Sequence, residues 1–212
     1  MSIVENGSAL PFAIEARAHV ENLLAGLSPD LYYHNFSHTF NYVYPEAVRL
    51  GKAEGLDCEG LLLVSIAALF HDTGYLDQYE GNESFGAGRA KAFILCTNDT
   101  NLIKGLDVVC DAILNTDMKT PPKNLVERIL RDADLSAHGM PEFLNLNSKL
   151  RSEALSHPNS EIYKSAISDE AWITLQLKFM GAHNLFTQAG RALYQPQKDA
   201  NIQAFKTAHS VV

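Results

Sequence analysis

The stretch Leu61–Phe70 constrains this chain more than any other. It reads Leu-Leu-Leu-Val-Ser-Ile-Ala-Ala-Leu-Phe and runs straight into His71-Asp72-Thr73-Gly74. The run is far shorter than the ~20 residues that a membrane-spanning helix needs. A helix that is apolar nearly all round has to be wrapped by other elements, so this one is expected to be the most buried in a packed domain. Asp57 is placed to cap it, and it should run from Glu59 to about Asp72. An ionised Asp at the end of such a helix costs several kcal/mol unless a second charge or a metal ion compensates it. Gly74 is expected to break the helix and let both side chains point at one spot. The plainer alternative is that His71 and Asp72 cap the helix end and bond locally.

The rest of the chain reads as helix too. Phe12, Ile14, Ala16, Val20, Leu23, Leu24 and Leu27 recur at near-helical spacing, closed by Gly26 and Ser28-Pro29-Asp30. Asn35 or Ser37 is placed to cap a second helix reaching Gly51 or Gly55, kinked at Pro45. After a loop to about Ser84, further helices are expected over 84–96, 101–115, 124–135, 141–155, 159–180, 183–194 and 199–209. No period-two alternation is long enough for a strand, and there is no internal repeat or linker. The expectation is one all-α domain over residues 1–212, with about nine or ten helices.

Composition narrows the function classes. Asp and Glu number 25 against 17 Lys and Arg, a net charge of -8. Such a chain lacks the broad positive field of a protein that grips a nucleic acid polymer. Cys58, Cys96 and Cys110 show no metal-binding or redox spacing and read as reduced thiols, packed as small hydrophobes. Residues 1–10 carry no positive segment followed by an apolar one, so no secretory signal is expected. The reading is a soluble, cytoplasmic protein with no membrane partner, free to form a homo-oligomer.

Two further segments carry ligand chemistry. In Tyr33-His34-Asn35-Phe36-Ser37-His38 the histidines are four apart, and on a helix they share a face. Imidazole suits Zn, Fe, Mn, Co or Ni. In Ile129-Leu130-Arg131-Asp132-Ala133-Asp134-Leu135 two carboxylates stand two apart at the end of an amphipathic stretch, and only one of them can face inward.

His38, then His71-Asp72, then a distant Asp134 resembles the H…HD…D signature of the HD superfamily of metal-dependent phosphohydrolases. Tyr-His-Asn before the first His and Asp-Ala-Asp-Leu around the last Asp sharpen the likeness, which covers about 31–194. The resemblance implies an all-helical HD domain and one divalent metal ion (Mn, Fe, Co, Ni, Mg or Zn). It also implies hydrolysis of a small phosphate ester, often a nucleotide, as a phosphodiesterase or phosphomonoesterase. His38, His71, Asp72 and Asp134 then match the metal ligands, with Asp132 as the fallback for the last. Asp72, beside the ion, is placed to orient or deprotonate water. The Tyr33-His34-Asn35-x-x-His38 run is also locally similar to cyclic-nucleotide phosphodiesterases, which gives His34 the role of protonating the leaving oxygen.

The departures from that family are specific. Tyr75-Leu76 stand where ppGpp hydrolases carry Glu-Asp, and the cyclic-di-GMP type's Lys after His-Asp-x-Gly is Tyr75 here. Asn82 stands where many two-metal members have a His before Glu83, so one metal is expected. Lys119, Lys123 and Arg131 are candidate phosphate contacts, though each reads more simply as a solvated charge. Phe179, His183, Phe186 and Thr187 lie on late helices able to close over the site, with core packing the plainer role. His138 is a candidate neighbour of the ligands, whereas His19, His157 and His209 read as surface residues. Two alternatives stay open: a non-catalytic metal- or nucleotide-binding regulatory module, and an iron-dependent oxygenase. The second would need extra histidines between Asp72 and Asp134, and there are none.

Overall fold

Every regular element among residues 9–209, which the computed structural model describes, is helical. The reading of residues 1–10 as lacking a secretory signal falls mostly on 1–8, outside the described residues. Eleven α-helices are present among the described residues, against the nine or ten expected. They are α1 (Ala9–Leu24), α2 (Tyr44–Ala53), α3 (Cys58–Phe70), α4 (Glu83–Cys96), α5 (Thr100–Lys104) and α6 (Leu106–Asn115). They continue as α7 (Leu125–Asp134), α8 (Phe143–Ser156), α9 (Tyr163–Ala166), α10 (Asp169–Ala182) and α11 (Gln188–Ala208). No helix is long and apolar enough to cross a membrane among the described residues.

Helix α3 is the centre of the packing. Asp57 accepts from the Gly60 amide at 2.8 Å and starts it, and every residue from Leu61 to Phe70 is buried. Its neighbours α1, α2, α4, α6 and α7 surround it. Each fully buried Leu, Ile or Phe contributes roughly 1.5–3 kcal/mol, which holds the end of α3 in place. Smaller clusters, Phe143 with Met180 and Phe205, and Ala154 with Ala166 and Trp172, tie α8 to α9, α10 and α11.

The departures from the expected boundaries have local causes. Pro45 has no amide hydrogen, and the turn before it opens into a π-helix over His38–Val43, where Tyr44 N donates to Thr39 O. The expected kink therefore appears as a wide turn. The 101–115 helix divides at Gly105, where a Cβ would stand 2.4 Å from Leu63 Cδ2. The 159–180 helix divides as Ser168 caps α10 through the Ala171 amide. The last two expected helices are instead one, α11, which passes through Pro196. Cys96 is exposed and Cys58 and Cys110 are half-buried, so the thiols are not the buried hydrophobes that composition suggested.

Candidate metal centre and adjoining cavity

Three elements bring His38, His71 and Asp72 to one place and set Asp134 beside the two imidazoles. His71 caps α3, and Asp72 follows at φ -98°, ψ 2°, a backbone conformation found often at functional sites. A 3₁₀ turn over Thr73–Leu76 then redirects the chain. Gly74 sits inside this turn rather than starting it. It is needed for space: a Cβ there would lie 1.8 Å from the Asn82 carbonyl oxygen. His38 comes from the π-turn, whose entry is held by Asn35 Oδ1 accepting from Ser37 N (2.9 Å) and His38 N (3.4 Å). Asp134 is the last residue of α7, whose apolar face of Val126, Ile129, Leu130 and Ala133 is buried.

The donor atoms converge. His38 Nε2 lies 3.1 Å from Asp134 Oδ1 and 3.5 Å from Asp72 Oδ2, and His71 Nε2 lies 3.1 Å from Asp72 Oδ2 and 3.6 Å from Asp134 Oδ1. Ligand atoms of His38, His71 and Asp72 all fall within 4.8 Å of one another. Donors bound at ~2.1 Å to a single ion stand ~3.0–3.5 Å apart when adjacent, close to the spacing of His38, His71 and Asp72, while Asp134 reaches both imidazoles but falls outside that three-residue group. His71 Nε2 and Asp72 Oδ2 are buried and, despite their 3.1 Å separation, neither has a hydrogen-bond partner. An orphaned imidazole nitrogen beside an orphaned carboxylate oxygen is what a cation would satisfy. His71 Nδ1 lies 2.8 Å from Ala68 O, which places the ring proton on Nδ1 and leaves the Nε2 lone pair toward the cluster. The residues present therefore fit a divalent ion.

Without a cation the cluster polarises itself. Burial works against the charged forms. The neighbouring His71 outweighs it at Asp72, and His38 and His71 do so at Asp134, holding both carboxyls below their ordinary range. At His71, burial is likewise outweighed by Asp72 and then Asp134, and the imidazole rises well above its ordinary value.

His34 stands beside this cluster, its ring centroid 5.6 Å from that of His38. Its own partner is Glu153, fully buried on α8. Glu153 Oε1 meets His34 Nδ1 at 2.5 Å, and Oε2 accepts from the backbone amides of Tyr33 (2.7 Å) and His34 (2.9 Å). Tyr79 OH donates to Glu153 Oε1 at 3.2 Å, and Tyr75 stacks on the His34 ring at 4.6 Å. Burial opposes the imidazolium, but the charge and hydrogen bond of Glu153, then Asp72 and Asp134, push the His34 pKa up to about 9. Glu153, despite its burial, is held below the ordinary carboxyl range by His34 and the two amides.

A cavity of about 570 Å³ opens beside the cluster, with His34, Asp72, Asp134, Tyr75 and Asn82 among its walls. Phe179 and His138 also line it. Lys119, Lys123 and Arg131 do not. Lys119 is 77% exposed with Nζ on Asp117 Oδ2, Lys123 is exposed, and Arg131 is buried against Asn115 and Thr120. Asp132 faces away from the cluster. It accepts from Phe186 N (2.9 Å), Thr187 N (2.8 Å) and Thr187 Oγ1 (2.6 Å), locking the start of α11. Phe186 and Thr187 thus belong to that lock, and His183 packs on His138 and Phe179. Burial lowers the pKa of His138 to about 4 and of His183 to about 3. His19 and His209 are exposed, whereas His157 is half-buried, stacked on Tyr79 at 4.0 Å and bonded to Glu153 O.

Glu153 and Tyr79 escaped the sequence reading, and Tyr75 and Asn82 entered it only as departures from the family pattern. Glu153 did leave one signal: it follows Phe143, Leu146 and Leu150 at spacings of 3, 4 and 3, a lone carboxylate on an apolar helix face. A scan of the chain against protein-family models found no match, and searches of the curated proteins and of the solved structures found none either.

Proposed function

We propose that this chain is a metal-dependent phosphohydrolase acting on a small phosphate ester, with His38, His71, Asp72 and Asp134 as the ligands of one divalent ion. The observation that carries the reading is that this cluster and a glutamate-backed histidine open onto the same cavity. The HD likeness of the His38, His71-Asp72 and Asp134 pattern agrees with it. When bound, such an ion neutralises phosphoryl charge and acidifies water.

The remaining chemistry belongs to side chains. Asp72 and Asp134 each present one oxygen to both imidazoles, and a second oxygen on either is available to orient an attacking water. His34 carries a proton at neutral pH, because Glu153 holds it, and donates it to the departing alkoxide. Glu153 makes Nδ1 the fixed, donating nitrogen, so Nε2 delivers the proton. Tyr75, stacked on the ring, keeps it from rotating away.

The test is hydrolysis of bis(p-nitrophenyl) phosphate and a nucleotide panel by protein loaded with Mn, Co, Ni or Mg. Turnover that falls ~10²–10⁴-fold in His34→Ala, with metal still bound, is expected. Absence of turnover on every substrate with every metal would overturn the proposal and favour a regulatory, non-catalytic module.

A further inference from the structure

The cavity beside the cluster takes part of its wall from α10, where Leu175, Gln176 and Phe179 line it. Gln176 is a buried amide, 4% exposed, and its orientation is fixed by a relay that starts at an unambiguous donor. The Trp172 indole N–H can only donate, and Asn147 Oδ1 accepts it at 3.0 Å. That bond orients the Asn147 amide, so its Nδ2 donates, and Gln176 Oε1 accepts at 2.7 Å. What remains of Gln176 is Nε2, a group with two N–H donors. It makes no hydrogen bond among the described residues, yet it is not sealed off: it keeps surface open on a residue that lines the cavity. A buried amide held by its oxygen, with its nitrogen facing an open space, is a donor waiting for an acceptor.

The relay also ties this amide to the proton donor. Asn147 precedes Glu153 on α8, about 9 Å away along the helix axis. One helix therefore positions His34 through Glu153 and Gln176 through Asn147. Leu150 and Ile162 join Leu175 and Phe179 on the same walls, and no Lys or Arg lines the cavity among the described residues. Apolar walls around a free amide nitrogen suit a flat, uncharged ring that carries an acceptor. A carboxylate would lie there without a cationic partner.

We infer that Gln176 determines specificity in this cavity: with the phosphoryl group at the metal cluster, its Nε2 donates to a ring nitrogen or carbonyl oxygen on a flat, uncharged organic group of the ester. The inference rests on the hydrolase reading above. Asn147 and Trp172 are positioning residues, because they set which end of the Gln176 amide faces the ligand.

The experiment compares, on Mn-loaded protein, benzyl phosphate with its 2-, 3- and 4-pyridylmethyl counterparts, each as the monoester and as the methyl diester. The pyridyl esters share the benzyl shape and add one accepting nitrogen. At least one of them is expected to show ~tenfold higher kcat/KM than the benzyl ester, the ratio that one well-made hydrogen bond supplies. Calorimetric binding of the matching 2-arylethylphosphonates, in which CH2 replaces the bridging oxygen, gives a readout independent of turnover, with the same preference expected. Gln176→Leu should bring the ratio toward one. Asn147→Asp should reverse it: a carboxylate there only accepts, so the Gln176 amide turns over, Nε2 donates to it, and Oε1 faces the cavity. That variant is expected to favour 3-aminobenzyl phosphate, which donates, over benzyl phosphate. Equal binding of pyridyl and phenyl phosphonates by the unaltered protein, or a preference that survives in Gln176→Leu, overturns the inference, and cleavage of bis(p-nitrophenyl) phosphate then leaves the hydrolase reading standing. Preferential binding of a pyridyl phosphonate with no ester cleaved, bis(p-nitrophenyl) phosphate included, overturns the hydrolase reading and supports the amide site. The comparison on the unaltered protein decides the matter even if both variants fail to fold.

Discussion

Glu153 on α8 grips His34 at two points, its side-chain Nδ1 at 2.5 Å and its backbone amide at 2.9 Å, and holds the preceding Tyr33 amide at 2.7 Å. One buried carboxylate thereby sets the position, tautomer and charge of the proposed proton donor. Glu153 is a positioning residue, so its loss should register in the pH dependence as well as in the rate. With the cluster empty, His34 titrates at about 9, an upper bound for the alkaline limb of the metal-loaded protein. A cation in the cluster cancels the contributions of Asp72 and Asp134 and draws the limb down. Glu153→Gln is expected to draw it down further and to lower kcat ~10²-fold or more, while KM changes little. A pH–rate profile of the two proteins checks this.

The same pair governs stability against pH. The folded His34 value lies above the unfolded one of ~6.5, so the stabilisation is fully present below that pH and is lost as pH rises through about 9. Glu153 is lowered, so its share is present above ~4.3 and is lost as pH falls through its folded value. Denaturant melts should therefore weaken between about pH 6.5 and 9, and Glu153→Gln should flatten that slope.

Much of the scaffold is legible in the chain. The all-apolar run before His71-Asp72 marks the central helix, Asp57 its cap and Pro45 the irregular turn that precedes α2. What escapes is long-range. His34 and Glu153 are 119 residues apart, and the Gly74–Asn82 contact depends on how a loop folds back. Helix periodicity is also blind to Gly105, where the helix divides and where a Cβ would meet Leu63 on another helix.

Asp132 and Asp134, two residues apart, should fail in opposite ways. Asp132→Asn loses charge-assisted bonds to Phe186 N, Thr187 N and Thr187 Oγ1, and is expected to destabilise the protein by about 1–3 kcal/mol with metal affinity intact. Asp134→Asn should keep the fold and weaken metal binding ~10-fold or more. Melting temperature and metal titration, run on both variants, separate the roles.

Gly74 leaves no space for a side chain. Gly74→Ala sets a methyl 1.8 Å from the Asn82 carbonyl oxygen, so the turn must shift. A loss above about 3 kcal/mol is expected. Gly86→Ala, 2.8 Å from the carbonyl oxygens of Phe70 and His71, should be milder but should still disturb the end of α3. Thermal melts of both variants rank the two contacts.

Binding of an ion to the folded chain alone stabilises it by ~2.7 kcal/mol at a hundredfold excess over Kd. For a chain of this size that is a rise of roughly 5–10 °C in Tm. Mn or Co should produce it, and His71→Ala should abolish it in a melting assay.

The most direct measurement is anomalous scattering from a crystal soaked in Mn. One peak is expected among His38 Nε2, His71 Nε2, Asp72 Oδ2 and Asp134 Oδ1, with each donor ~2.0–2.3 Å away. A soaked crystal with no peak there, and with the four side chains bonded only to one another, would contradict the metal centre and the function built on it.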